Sequence, residues 1–271
     1  MLILEIIICI CFFIPLYTIV LYPVLLPLLS SIFKHPVNLS DDIGKPEISI
    51  LISVYNEEDY IEDAVRSIYE CNYPKDKINL LIGSDGSTDN TDEIIERLKN
   101  TYSNIQTFRY NRSGKNGVLN QLINQTKTDL IFFMDADLRI SKDSLDVLVK
   151  YFSDENVGAV QSHLEMISEQ DSDNAGRVGE TKYQKYETSM RLNESKINSA
   201  VNALGTLYGV RRSNLTFIPT NKVMDDLFNV SYTIYCKKRV IYTTDTKVFE
   251  VRKKSIKDEL LRRVKIGRAH V

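Results

Sequence analysis

The chain has 271 residues, with 34 Lys+Arg against 36 Asp+Glu and a formal net charge of −2. That balance gives no support for a nucleic-acid partner, which selects a basic excess. With 43% hydrophobic and 26% charged residues, the composition is that of a globular protein and excludes the disordered and collagen-like classes. The length suffices for one large domain or two small ones. Cysteines at 9, 11, 71 and 236 form no CxxC pair, so neither a disulfide framework nor a zinc site is expected.

Charge is unevenly spread. Glu5 is the only charged residue among the first 33, and the 28 residues Ile6–Phe33 carry none. A bilayer core needs about 20 apolar residues as helix. A cleaved signal peptide would want Lys or Arg at its start and a small-residue cleavage site after the apolar run, and this segment has neither. Residues 1–33 therefore read as an N-terminal transmembrane segment. Pro15, Pro23 and Pro27 either kink the helix or confine the span to roughly the first two-thirds of the run. Lys34 and His35 follow, and the positive-inside bias puts the rest of the chain in the cytoplasm, at a cell or inner membrane.

Residues 34–46, with Pro36, Gly44 and Pro46, read as a linker. Ile48–Val54 is a β-rich apolar run. Ile61, Ala64, Val65 and Ile68 then recur at helical spacing. Ile78–Ile82 reads as a second strand. Asn90, followed by Glu93, marks the start of a second helix with Ile94, Ile95 and Leu98 on its apolar face. Gln106–Tyr110 is a third, weaker strand. Val118, Leu119, Leu122 and Ile123 mark a third helix, and Leu130–Met134 a fourth, continuously apolar strand. This alternation predicts a parallel sheet wrapped by helices, with ligands outside the carboxyl ends of the strands. Polar side chains cluster at those ends: Asn56 and Glu57, Asp85, Arg112 and Lys115, then Asp135 and Asp137.

Beyond residue 140 the pattern loosens. A helix over Lys142–Tyr151, a strand over Val157–Ser162, a polar loop at Glu169–Asp173 and a long polar helix over Thr181–Ser195 are expected. Arg239–Thr244 and Lys247–Val251 read as two short strands. Ser255 caps an amphipathic helix that is either a packed surface helix or one lying at a membrane interface.

Five motifs carry chemistry. Asp135-Ala136-Asp137 ends an apolar strand, and paired carboxylates there suit a divalent cation that also holds a diphosphate. The same pairing serves as the nucleophile motif of phosphohydrolases, but on a first strand and with Thr or Val after the second Asp; here Leu138 follows. Ser84–Thr91 is a turn and helix start by composition, in which Asp85 can accept a hydrogen bond from a nucleobase imide. Arg112–Gly117 is not a P-loop, yet Lys115 at a helix start can pair with phosphate or simply be solvated. Asp225-Asp226 suits general-base work, because repulsion can raise one pKa, or is surface charge. Gly205–Arg212 combines glycines that admit a ligand with arginines that suit phosphate.

Together these motifs resemble a membrane-associated family 2 glycosyltransferase over about residues 46–265. The resemblance rests on ISVYNEE (52–58), GSDGSTDNT (83–91), GKNGVLNQ (114–121), FFMDADLRI (132–140), ALGTLYGVRRS (203–213) and MDDL (224–227). It implies an α/β, Rossmann-like GT-A fold with a mostly parallel sheet. It divides the chain into a nucleotide-sugar-binding half at 47–165, an acceptor-side half at 166–254 and a possible interface helix at 255–265. It also implies inverting transfer from a nucleotide-diphosphate sugar, with Mg2+ or Mn2+, to a polysaccharide, lipid or other acceptor. By the same resemblance Tyr55, Asn56, Glu57 and Asp85 would contact the nucleoside and Lys115 would approach the donor. Asp135 would face the donor sugar or ribose, Asp137 would ligate the metal, and Asp226, beside Asp225, would be the base. Gly205, Arg211 and Arg212 would border the acceptor.

The alternative is a catalytically silent or truncated sugar-nucleotide-binding protein; intact Asp137 and Asp226 argue against it. A nucleotidyltransferase would want a Gly-rich pyrophosphate loop near the N-terminus, which this sequence lacks. Processive synthases of the family carry a Gln-x-x-Arg-Trp motif, whereas this chain has no Trp. Ile266–Val271 is what a common sequencing-library adapter encodes in one frame. The expectation is an artefactual end and a truncated chain.

Overall fold

The computed structural model describes residues 2–40, 43–168, 182–202, 205–220 and 224–252. The polar loop expected at 169–173, the amphipathic helix at 255–265 and the terminal hexapeptide lie outside the described residues.

The N-terminal segment is helical from Leu2 to Ile32: α1 (Leu2–Leu16), a π-helical turn (Tyr17–Leu21) and α2 (Tyr22–Ile32). Proline at 23 cannot donate to the carbonyl four residues back. The helix widens there, and the Tyr22 N–H reaches the Tyr17 carbonyl. Leu4–Ile32 is long and apolar enough to cross a bilayer by length and composition.

The first half of the remaining chain alternates strand and helix as expected: β1 (Ile48–Val54), α3 (Ile61–Glu70), β2 (Ile78–Ser84), α4 (Thr91–Thr101), β3 (Ile105–Arg109), α5 (Lys115–Gln125) and β4 (Leu130–Phe133). Then come β5 (Leu138–Ile140), α6 (Ser144–Tyr151), β6 (Val157–Ser168), α7 (Lys182–Ile197), β7 (Tyr208–Arg211), α8 (Asp225–Tyr235) and β8 (Arg239–Arg252). Among the described residues the strands form one sheet in the order β3-β2-β1-β4-β7-β6-β8-β5. β1 to β4 pair in parallel, as do β6 and β8, whereas β7 runs antiparallel to both neighbours and β5 to β8.

Strand pleating splits the core in two. Ile48, Ile50 and Ile52 of β1 join α3, α4 and α6 on one face through Ile68, Leu98 and Leu148. Leu51 points the other way and packs with Val118 and Leu122 of α5 and Val230 of α8. The result is a three-layer α/β sandwich whose central strands are buried on both faces, which is why they read as continuous apolar runs.

Two expectations change. The strands expected at Arg239–Thr244 and Lys247–Val251 are one strand, β8. Its register against β6 jumps from Gln161↔Tyr242 to His163↔Lys247, so Thr243–Thr246 bulges out of the ladder. Polar Thr243 and Asp245 are satisfied there by the Tyr151 hydroxyl, at 2.9 and 2.6 Å. Residues 34–40, read as a linker, are stitched onto the domain. The His35 N–H donates to the Lys196 carbonyl at 2.8 Å, Asn38 N–H to Asp154 Oδ2 at 3.1 Å, and Ser40 N–H to Ser153 Oγ at 2.9 Å.

The β4–β7 junction is closely packed. A Cβ at Gly209 would lie 2.6 Å from the Phe132 ring. Gly209→Ala should therefore destabilise the fold by about 1–3 kcal/mol through overpacking. Denaturant unfolding in detergent measures it, and an unchanged midpoint would contradict this packing.

Candidate active site

The carboxyl ends of β1, β2, β3 and β4 form one rim. Two loops on it are bolted together. Asn56 sits in the left-handed region at φ 57°, which Asn tolerates. Its Oδ1 accepts the Thr88 N–H at 2.8 Å, and the Glu57 N–H donates to Thr91 Oγ1 at 2.8 Å. The loop after β1 is thus fixed on the Ser87–Thr91 turn after β2.

Asp85, the first residue past β2, is 1% exposed. Its carboxylate accepts the Ser113 N–H at 2.6 Å and the Gly114 N–H at 3.0 Å, and pairs with the Arg112 guanidinium at 2.6 Å. Gly114, at φ 80°, is the residue that lets the chain turn from this nest into α5. Arg112 in turn lies 3.4 Å above the centre of the Tyr55 ring. Tyr55, Glu57, Asp85, Arg112, Lys115, Asp135 and Asp137 line a cleft of about 380 Å³.

Lys115, the first residue of α5, bridges two carboxylates. Its ammonium is 2.7 Å from Asp135 Oδ1, past the end of β4, and 2.9 Å from Asp225 Oδ1, at the start of α8. The protein packed around the ammonium works against its charge, but Asp135 and Asp225 outweigh that and hold its pKa above the ordinary lysine value. Asp225 is buried, and its second oxygen accepts the Tyr208 hydroxyl at 3.1 Å. Asn229 donates to that hydroxyl at 3.0 Å, and the ring stacks on Phe133 at 4.8 Å. Burial, then the Asp225 charge, pushes the Tyr208 pKa well above the usual phenol value, so it stays a donor.

Asp226 accepts the N–H of Leu227, its own helix neighbour, at 2.7 Å. Burial, and next the Asp225 charge, raises its pKa above the ordinary carboxylate value, against the pull of the Leu227 N–H and Lys115. Lys115, Asp135, Gly205, Tyr208, Asp225 and Asp226 surround a cavity of about 10 Å³ that shares Lys115 and Asp135 with the larger cleft. Gly205 is close: a Cβ there would be 3.9 Å from Asp135 Oδ2.

The sequence model for "Glycosyl transferase family 2" matches residues 49–212, which include every rim loop described above. The chain belongs to that family. A beta-monoglucosyldiacylglycerol synthase from Nostoc sp. is 31% identical over 196 residues, covering 69% of this chain and 41% of the relative. A poly-beta-1,6-N-acetyl-D-glucosamine synthase from Staphylococcus aureus is 34% identical over 47% of this chain and 31% of its own. The chain thus spans less than half the length of the curated relatives it matches. A mannosyltransferase from Pyrobaculum calidifontis, solved with GDP-Man and Mn2+, superposes with a TM-score of 0.72 at 24% identity over 89% of this chain and 68% of its own. S. aureus TarS 1-349 in complex with UDP-GlcNAc superposes at 0.58 and 17% identity, over 77% of this chain and 59% of its own. At these identities the likeness shows the fold, which is the α/β GT-A-like fold expected from the motifs.

Against that family frame, two of the expected site residues are misplaced. Arg211 and Arg212 do not border this cavity. β7 is antiparallel to β4, so Tyr208 pairs with Phe133 at the rim and Arg211 with Leu130 at the opposite end of the sheet. There the Arg211 guanidinium donates to the carbonyls of Phe152 at 2.6 Å and Val157 at 2.8 Å, and Arg212 donates to the Thr126 carbonyl at 2.6 Å. Both serve the backbone. Conversely, Tyr208 and Asn120 were not singled out from the sequence. Asn120 exchanges two hydrogen bonds with the Ile218 backbone, each 2.8 Å, and so ties α5 to the strand of chain leading to Asp225. A polar residue on the apolar face of a helix, as Asn120 is beside Leu119 and Leu122, was the available signal.

Lys115 and Asp225 should behave as one unit. Lys115→Met and Asp225→Asn should each cost roughly 1–3 kcal/mol, discounted from a fully buried pair because 40% of the lysine side chain is exposed. The double variant should lose about 0.5–3 kcal/mol less than the sum. Thermal unfolding of the four proteins measures it; strictly additive losses would mean that the two do not pair.

Proposed function

We propose that the protein moves a sugar from a nucleotide-diphosphate sugar to a hydroxyl acceptor with inversion, using Asp226 as base, at the cytoplasmic face of a membrane. The observation that carries this reading is the division of labour in the acidic pair. Asp225 is consumed by Lys115 and Tyr208, whereas Asp226, beside it, keeps a raised pKa at the edge of the same cavity. A base whose pKa moves toward the working pH transfers protons more effectively.

Family membership supports sugar transfer, and the bound GDP-Man and UDP-GlcNAc of the fold neighbours support the donor class. The names of the curated relatives, a glycolipid synthase and a polysaccharide synthase, support a lipid or saccharide acceptor. The apolar helix Leu4–Ile32 supports membrane attachment, and Lys34 after it a cytoplasmic site.

In this reading the Tyr55–Glu57 loop and Arg112 frame the nucleoside slot, and Asp85 holds the Arg112–Gly114 loop around it. Asp135 faces the donor sugar or ribose and is kept in place by Lys115, while Gly205 leaves room beside it. Among the described residues no group of three His, Cys, Asp or Glu side chains is poised for a metal. Mg2+ or Mn2+ would arrive with its nucleotide, since such ions accept one or two carboxylates and take their other oxygens from phosphate and water. Asp137 is the residue that would hold it. The ion when bound would offset the charge of the leaving diphosphate. Asp226 takes the proton of the acceptor hydroxyl as its oxygen bonds to the anomeric carbon. The bond from that carbon to the diphosphate oxygen breaks on the opposite side, which inverts the configuration.

Calorimetric donor titration and a nucleotide-release assay separate these roles. Asp137→Ala should lose metal-dependent donor affinity. Asp226→Asn should keep affinity and lose turnover by about 10²–10⁴-fold, with Asp225→Asn losing less. Because the Asp226 pKa is raised, wild-type turnover should fall with decreasing pH above the ordinary aspartate range. Asp226→Asn should lack that limb. An Asp226→Asn protein that retains most of its turnover would overturn the assignment.

A further inference from the structure

The last third of the N-terminal helix has two unlike faces. Leu26 and Ser30 are buried, and they lie against α7. Ser30 Oγ donates to Asn193 Oδ1 at 2.7 Å, and the Tyr22 hydroxyl donates to Glu194 Oε1 at 2.7 Å. The opposite face carries Val24, Leu25, Leu28 and Ile32, exposed by 68, 42, 57 and 63%. At 100° per residue these four share one side of the helix, facing away from Leu26 and Ser30.

The partner helix decides the depth. α7 contains Lys185, Glu187, Arg191, Glu194 and Lys196. Charged side chains at this density are expelled from hydrocarbon. Tyr22 and Ser30, near the two ends of α2, both bond adjacent residues of α7, Glu194 and Asn193, so α2 crosses α7 there, shares the depth of this charged helix and cannot lie in the bilayer core. The junction is firm. Arg239 donates to the carbonyls of His35 at 2.8 Å, Ser195 at 2.9 Å and Asn198 at 2.9 Å, locking the end of α7 to the chain leaving α2. What remains for the span is α1 and the π-helical turn, Leu2–Leu21, or twenty residues, with the charged Glu5 in the first turn, at the far membrane surface. That is about 30 Å of helix, the thickness of a hydrocarbon core. Tyr17 and Tyr22 then fall at its lower edge, where tyrosine is favoured.

Resting on the membrane attachment proposed above, we infer that Leu2–Leu21 is the bilayer span and that α2 is a lipid-surface helix. One side of α2 is docked on α7; the other, Val24, Leu25, Leu28 and Ile32, is covered by the headgroup–acyl boundary of the bilayer. Lipid is the occupant because the face is continuous with the lipid-facing surface of α1. The catalytic unit is then held at a fixed height and orientation, not on a tether.

Site-directed spin labelling of the full chain in phospholipid vesicles tests this. The native cysteines are removed as Cys9→Ser, Cys11→Ser, Cys71→Ala and Cys236→Ser. One label is then placed at a time through Phe13→Cys, Val24→Cys, Leu28→Cys or Ile32→Cys, all exposed positions. Depth is read from the relative accessibility to oxygen and to a polar nickel complex. The labels at 24, 28 and 32 should lie about 10 Å or more shallower than the label at 13. Equal depth at 13 and 28 would overturn the inference, as would shielding of 24, 28 and 32 from both reagents, which means cover by protein. If the chain stays off the vesicles and all four labels are equally open to the nickel complex, membrane attachment itself fails. Lysine substitutions in the otherwise native chain give a second readout: Phe13→Lys should abolish resistance to carbonate extraction, and Leu28→Lys should preserve it. Loss of membrane retention by both variants would also contradict a surface position for α2.

Discussion

One ammonium ties the two sides of this molecule together. Lys115 sits at the first position of α5, between a carboxylate that ends β4 and one that begins α8. Without a cation there, Asp135 and Asp225 would face each other across a confined space and repel. With it, the end of β4 and the acidic pair are held in one geometry, and the rest of the site is arranged to keep that cation in place. Gly114 starts α5 at the right point, and Asp85 fixes Gly114. Tyr208, itself bonded by Asn229, holds Asp225 from behind, and Asn120 holds the chain that leads to it.

The same arrangement separates two chemically identical neighbours. Asp225 and Asp226 are adjacent in sequence, but the first turn of α8 sends them in different directions. Asp225 enters a buried, fully bonded position. Asp226 stays beside the cavity, where burial and the neighbouring charge disfavour its ionised form. Environment makes one a fixed counter-ion and leaves the other able to accept a proton. Structural attachment follows a similar logic at the other end of the molecule. Arg239 gathers backbone carbonyls from α7 and from the chain after α2, so the apolar helix and the α/β unit move together.

Much of the first half was legible in the sequence, because its strands are buried on both faces and its helices on one. Ile48–Val54 was readable to the residue, and the apolar sets of α3 to α5 fall where their spacing puts them. The rim residues were legible because parallel strands deliver their carboxyl ends to one side. The second half broke that rule. β7 is antiparallel, so Arg211 and Arg212 travel away from the rim although they follow Gly205 within a few residues. The Thr243–Thr246 bulge looked like a gap between strands because its residues are polar, yet the ladder resumes on the same partner. Lys115 read as a phosphate ligand or a solvated side chain. Its bridging role depends on Asp225, which local sequence cannot bring near it. Residues 34–40 looked like a linker from Pro36 and polar neighbours, and only tertiary contacts with Lys196, Asp154 and Ser153 show them docked.

If Asp225 is committed to Lys115 and Asp226 alone serves as base, the displacement is single and the anomeric configuration must invert. The proton NMR spectrum of the first product formed from an α-linked nucleotide sugar of gluco or galacto configuration tests this most directly, read before any further transfer. The account predicts the coupling constant of a β-linkage. An α-linked first product would require a second displacement or a front-side path, and would contradict the assignment of one base beside one fixed counter-ion.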